Sequence, residues 1–177
     1  MKSKAITLLA ISAILWAFIL GISGIFLTAL DMSSKVVKTQ PAASEQVLDT
    51  TIDDLEIELM NNSRLEAGKT VLKKHEALVK SAYAKCLHMV EYDYWAHSGG
   101  GAEWLSFVDA VTGYKDAGEN LARGWADEYK QHIAWVDSPG HYENMIGSYE
   151  YVGVATCQYP ETSKHAGVLT VVHFANL

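Results

Sequence analysis

Two imidazoles and one carboxylate are spread over three separate segments of the second half of the chain. His97 follows the aromatic run Tyr92, Tyr94, Trp95; Glu119 stands between Gly118 and Asn120; His141 follows Ser138-Pro139-Gly140, with Asn144 shortly after. Each lies beside a backbone breaker or an aromatic anchor, which is how a fold assembles a site from distant segments. Two neutral imidazoles with water can bind a divalent ion such as Zn²⁺, and His97 and His141 are the ligands in that reading. With Glu119 as a more distant carboxylate the site would be open and weakly held. Beside a bound Zn²⁺, Glu119 is the candidate general base of a hydrolytic step. Ser138 adds a hydroxyl three residues before His141; as a nucleophile pair they lack an identifiable orienting acid or oxyanion donor. His97, Glu119, Ser138 and His141 are thus the residues whose types could do chemistry.

The elements that must position these groups follow from periodicity. Thr50-x-x-Asp53 has the form of a capping box with Asp in place of Glu, and Ile52, Leu55, Leu59 and Met60 follow at helical spacing, with Gly68 as the stop. Leu78, Ala82, Cys86 and Met89 mark a second helix that closes before Tyr94. Gly99-Gly100-Gly101 is a loop; no Lys-Ser/Thr pair follows it, so it is not a phosphate cradle. Trp104, Val108 and Val111 mark a short third helix ended by Gly113. Gly118-Glu119-Asn120 reads as a turn presenting a carboxylate. Tyr129, His132, Ile133 and Val136 give a fourth helix, terminated by Pro139-Gly140. From Tyr151 the period becomes that of strands, over Tyr151 to Tyr159 and Val168 to Phe174. Helices followed by strands point to an α+β domain. Asn61 and Arg64 lie one turn apart on the first helix, where they can bond neighbouring loops. His75, His88, His132, His165 and His173 belong to no motif and read as structural or surface residues. Tyr92, Tyr94, Trp95, Trp104 and Trp135 read as core and cleft walls.

The amino terminus has a different character. Ala5 to Leu30 carries no charge, and as a helix it is long enough to cross roughly 30 Å of hydrocarbon with tilt. It exceeds the usual core of a cleaved signal, and a small-x-small cleavage site is missing. Residues 1–30 therefore read as an uncleaved signal anchor, with cleavage as the alternative. Lys2 and Lys4 before it and Asp31 after it leave the bulk of the chain outside the cytoplasm: a single-pass protein of the cell membrane with its domain on the periplasmic or extracellular side. Ala10, Ala13, Ala17, Gly21, Gly24 and Thr28 form a stripe that permits close packing on a partner membrane helix, or simply reflects how common Ala and Gly are in such spans. Residues 31–50, with Pro41-Ala42-Ala43-Ser44, read as a linker, and residues 51–177 as one domain.

From Thr51 onward the chain has ten Lys or Arg against eighteen Asp or Glu. That acidic balance argues against nucleic acid as a partner. Cys86 and Cys157 are too far apart in sequence for a zinc ribbon or a redox pair. They are either two buried thiols or one disulfide, Cys86–Cys157, permitted outside the cytoplasm.

The order of these landmarks resembles the CAP superfamily (cysteine-rich secretory proteins, antigen 5, pathogenesis-related 1), and most of all its short bacterial extracellular SCP-like branch. The resemblance runs from Asn61-x-x-Arg64 and Gly68 through Leu78, Ala82, Cys86 and Met89, then His97, Gly113-Tyr114, Gly118-Glu119-Asn120, Trp135, Ser138-Pro139-Gly140-His141, Val152-Gly153-Val154 and Val171 to Phe174. It covers Ile52 to Phe174. It implies a three-layer α-β-α sandwich with a central antiparallel sheet, and a common cleft lined by His97, Glu119 and His141. The chain departs from the eukaryotic pattern, which has a second glutamate three residues after the tryptophan; here Ser138 stands there, so any mechanism needing two carboxylates is in doubt. What the resemblance implies is a binding or scaffolding module whose cleft takes a metal ion, a small apolar or lipid-like ligand, or a protein partner of the envelope. The competing readings are a metal-assisted hydrolase of envelope peptides or esters, and an accessory single-helix subunit of a membrane complex.

Overall fold

The computed structural model describes residues 50–177. The expected membrane helix over residues 1–30 and the linker, up to its last residue, lie outside them; Thr50 itself is already helical. Among the described residues no helix is long and apolar enough to cross a membrane. The elements run α1 (Thr50–Glu66), β1 (Lys73–Lys74), α2 (Glu76–Glu91), α3 (Leu105–Asp109), β2 (Asp116–Arg123), α4 (Glu128–Val136), α5 (Pro139–Met145), β3 (Tyr151–Tyr159) and β4 (Gly167–Asn176).

The four strands form one sheet in the order β1-β3-β4-β2. β4 is central and pairs antiparallel with both β2 and β3. β1 departs from the expected all-antiparallel sheet: it joins β3 in parallel, Lys73 opposite Tyr151. It is only the two-residue lead into α2, held by the backbone bonds Lys73 N–H to Glu150 O and His75 N–H to Val152 O.

Residues of β4 alternate between two cores, as the period of a strand requires. Leu169 and Val171 face α2, packing with Ala82, Cys86, Met89, Ala155 and Cys157. Val172 and Phe174 face the other way, onto Ile57 and Met60 of α1, Trp135 of α4 and Met145 of α5. Helices thus cover both faces of a mixed α+β fold, and β4 is buried throughout its middle because it is covered twice. Cys86 and Cys157 are joined by a disulfide that ties α2 to β3 across 71 residues. Gly153 sets the α2 to β3 distance: a Cβ there would stand 2.1 Å from the Leu78 carbonyl carbon and 2.2 Å from Val79 N, so only glycine permits this approach.

Two helices bury a different face from the one that apolar periodicity predicts. On α1 the buried positions are Asp53, Glu56, Ile57, Met60 and Arg64, while Leu55 and Leu59 are only half-buried. On α4 the buried positions are Gln131, His132 and Trp135, while Tyr129 and Ile133 are more than half exposed. Polar partners cause the rotation: Gln131 Nε2 donates to Glu56 at 3.2 Å, and His132 meets Glu56 at 3.3 Å and Ser63 at 2.9 Å. Buried polar groups that are hydrogen-bonded to one another need not point outward. Asp53 accepts from Thr156 Oγ1 of β3 at 3.0 Å, so its carboxylate reaches the sheet, beyond the role a capping box would give it. Asn61 and Arg64 bond neighbouring loops. Asn61 makes a two-way bond with Leu72, and the Arg64 guanidinium donates to the carbonyls of Thr70, Met145, Gly147 and Tyr149.

Candidate functional site

The site is built on β2. The expected turn at Gly118-Glu119-Asn120 is a strand, hydrogen-bonded to β4 along its whole length. Gly118 reads as a breaker in sequence, but here it makes room for its neighbours: a Cβ would meet Tyr149 Oη at 2.8 Å and Asn144 Oδ1 at 3.2 Å. Strand geometry sends Glu119 to the α2 side and Asn120 to the other.

Glu119 is directly opposite His173 in the β2–β4 register. Its carboxylate is all but inaccessible and both oxygens are engaged: Oε1 with His97 Nδ1 at 2.6 Å and Oε2 with His173 Nε2 at 3.0 Å. His173 is fully buried, and its Nδ1 is hydrogen-bonded to Ser81 Oγ of α2. Burial pushes the Glu119 pKa up, but hydrogen bonds from His173 and His97, with the charges of His173 and Lys85, outweigh it and hold the carboxyl below its ordinary value. The group is a held carboxylate.

β2 is an edge strand, and its outer edge is covered by side chains of α4 and α5. Asn144 Nδ2 donates to the Glu119 carbonyl at 3.1 Å and to Asn120 Oδ1 at 2.9 Å; Asn120 Nδ2 donates to the His141 carbonyl at 3.0 Å; Trp135 Nε1 donates to the Leu121 carbonyl at 3.3 Å. These bonds seat α5 on the strand and so place His141. α4 stops at Val136 and Ser138 is extended, as Pro139-Gly140 predicts, but Pro139 also begins a further helix, α5, with Pro in its first turn where a missing N–H costs nothing. His141 Nδ1 lies 2.8 Å from Ser138 Oγ and its ring packs against Trp135. Burial, with the charge of His97, lowers the His141 pKa and keeps the ring neutral.

His97, Glu119, Ser138 and His141 all line one cavity of about 400 Å³, together with Trp104, Ala117, Gly118, Gly140 and Asn144. Among the described residues no group of three or more His, Cys, Asp or Glu is arranged to hold a metal ion; the donors available are the two rings and water. Nδ1 of each ring is already engaged, so coordination would fall to Nε2. A carboxylate on the far nitrogen is the usual second partner of a metal-ligating histidine. Among the described residues no carboxylate pairs with His141, so the Ser138–His141 pair has no orienting acid.

Sequence reasoning placed His173 among the structural or surface residues, whereas it holds half of the central carboxylate. The one signal was its type: a single ionisable residue in the otherwise uncharged run Val168 to Ala175. Ser81 carried no signal as a site residue, whereas Trp104, read among the core and cleft-wall aromatics, does line the cavity.

Residues 57–174 match the model of the cysteine-rich secretory protein family, CAP. The uncharacterized protein YkwD of Bacillus subtilis is 29% identical over 130 residues, a region covering 72% of this chain and 51% of that protein; the chain thus spans about half the length of that relative. Two solved structures share the fold with a TM-score of 0.62 and 18% identity: an outer surface protein from Borrelia burgdorferi, over 70% of this chain and 90% of that one, and an extracellular SCP-domain protein from Bacillus anthracis, over 72% and 41%. On the family match across most of its described length, this chain belongs to the CAP, or cysteine-rich secretory protein, family.

Proposed function

We propose that the protein is an extracytoplasmic binding module, tethered to the cell membrane through residues 5–30, whose cleft takes its ligand between His97 and His141. The observation that carries this reading is the state of Glu119. Both carboxylate oxygens are hydrogen-bonded to imidazoles and the group is buried and stably ionised, which suits a residue that orients His97 and ill suits a general base. The disulfide fits an oxidising compartment, and relatives described as an outer surface protein and an extracellular protein support the same side of the membrane.

The donor set fits a weakly held divalent cation with His97 and His141 as protein ligands and water completing the shell. Such an ion would supply a Lewis acid at the cleft; the chain's own residues orient the two rings and keep His141 neutral. A small ligand or a loop of an envelope protein uses the same rings and Asn144 as hydrogen-bonding partners.

Zn²⁺ titration followed by calorimetry tests the reading. Binding in the wild type should weaken at least tenfold in His97→Ala or His141→Ala and vanish in the double variant. Zinc affinity indifferent to both changes removes the cation reading. Zinc-dependent turnover of an ester or peptide that disappears in Glu119→Gln would replace the binding module with a hydrolase.

A further inference from the structure

Lys85 of α2 is fully buried, and among the described residues no carboxylate lies within ion-pair distance of it. A lysine ammonium has three donors and no acceptor. Here Nζ donates to Tyr94 Oη at 3.0 Å, to the Ala96 carbonyl at 3.1 Å and to the His97 carbonyl. It also stands over the rings of Tyr94 and Phe107, 4.8 and 5.6 Å from their centroids. Three oxygens of one loop therefore converge on one cation, and two are the main-chain oxygens of His97 and of the residue before it. The His97 ring is more than half exposed, so side-chain packing does little to hold it. Burial lowers the Lys85 pKa, and the charges of Glu119 on β2 and of Glu103 oppose that fall.

We propose that Lys85 is the positioning residue of the cleft: it clamps the 94–97 segment through its carbonyls so that His97 Nδ1 meets Glu119. The proposal deepens the binding reading and rests on it for its purpose, but its geometry can be tested without any ligand. A lysine that only filled space on α2 would be replaceable by methionine, which has nearly the same length and volume. A clamp would not be.

The experiment is Lys85→Met in the full chain, read by ¹⁵N and ¹H shifts of the histidine rings without metal, beside thermal melting and Zn²⁺ titration. The wild type should show His97 with the shifts of an imidazole hydrogen-bonded to a carboxylate. In Lys85→Met the His97 signals should move to those of a free, solvated ring, with His132, on the opposite face of the sheet, unmoved, and Zn²⁺ affinity should fall at least tenfold. A lower melting temperature with His97 signals unchanged would overturn the proposal, since that is what a merely structural lysine predicts. If the methionine variant does not fold, Lys85→Gln, neutral and one atom shorter, carries the same comparison. Movement of His97 well beyond that of His132 supports the clamp and its absence refutes it. Should the wild type bind no zinc, the cation reading of the cleft fails, while the metal-free shifts still decide the role of Lys85.

Discussion

Glu119 and Glu56 are both buried carboxylates that meet imidazoles, one on each face of the same sheet, yet their protons behave in opposite ways. Burial raises the pKa of each. Around Glu119 two imidazole donors stand at 2.6 and 3.0 Å, and the Lys85 ammonium adds its field; the carboxyl ends below its ordinary value. Around Glu56 the donors are one imidazole at 3.3 Å and the Gln131 amide at 3.2 Å, and the Glu128 charge opposes ionisation; the carboxyl ends above its ordinary value. The number and length of charge-assisted bonds, rather than depth, decide which way a buried acid moves. The difference also sorts the two regions by use. The ionised acid serves a polar cavity of about 400 Å³, while Glu56 lies at the edge of a smaller one of about 220 Å³ walled by Ile52, Trp125, Val154 and Val168.

The largest expected effect comes from removing the buried donor that separates the two cases. His173→Ala leaves Glu119 Oε2 and Ser81 Oγ facing an empty space of imidazole size. Leaving a buried carboxylate charge uncompensated costs about 3–5 kcal/mol, to be read as a shift of the urea midpoint at unchanged slope. Glu119→Gln should cost less, about 1–3 kcal/mol, because an amide oxygen still accepts from one ring. A Glu119→Gln variant more damaging than His173→Ala would mean that the carboxylate charge, and not its satisfaction, dominates the site.

The ordering of these two residues shows what was legible in the chain. His97, Glu119, Ser138 and His141 were found because each stands next to a breaker or an aromatic anchor, and such residues mark places where backbone is being aimed. His173 has neither. It sits in mid-strand, and its role comes from register: only the β2–β4 pairing puts it opposite Glu119. Long-range register is not encoded in local spacing, so that partner was invisible. The helices failed for a related reason. Apolar periodicity assumes that polar residues face water, and α1 and α4 instead bury Glu56, Gln131 and His132 against one another. The two carboxyl-terminal strands and the helix that carries Cys86 read correctly because most of their buried positions are apolar or small, which is the case the rule describes; Lys85 and His173 are the buried exceptions, and both serve the site.

A smaller effect separates the acids by pH. For Glu56 the folded pKa lies above the unfolded value near 4.5, so the native state binds the proton more tightly. Stability is then unpenalised below pH 4.5 and falls as pH rises from there through the folded pKa. Glu56→Gln should abolish that fall and leave stability at pH 7 unchanged or slightly higher, as when a buried charge is replaced by a neutral group of its shape. Urea unfolding of both proteins across pH 4–8 reads the difference. Equal slopes in the two curves would place the Glu56 proton elsewhere.

The smallest change in energy carries the sharpest test of the comparison. His97→Ala removes a ring that is 57% exposed, and solvent screening limits its direct contribution to about 1 kcal/mol or less at neutral pH. Yet it leaves Glu119 with a single imidazole, the condition of Glu56. In the wild type the lowered Glu119 pKa means that the unfolded chain binds the proton more tightly, so the Glu119 contribution is fully present above pH 4.5 and is lost as pH falls through the folded value. With one donor gone, burial should offset or exceed the remaining bond, and the folded pKa should climb to the ordinary value or beyond. The rise of stability with pH below 4.5 should then flatten in His97→Ala, and the plateau near neutrality should drop by the height of the lost rise, about 1 kcal/mol or less. The same substitution made in Glu119→Gln should leave the acid limb untouched, because the titrating group is already absent. An acid limb in His97→Ala as steep as in the wild type would show that His173 and Lys85 alone keep Glu119 ionised, and that counting donors is the wrong account of why the two acids differ.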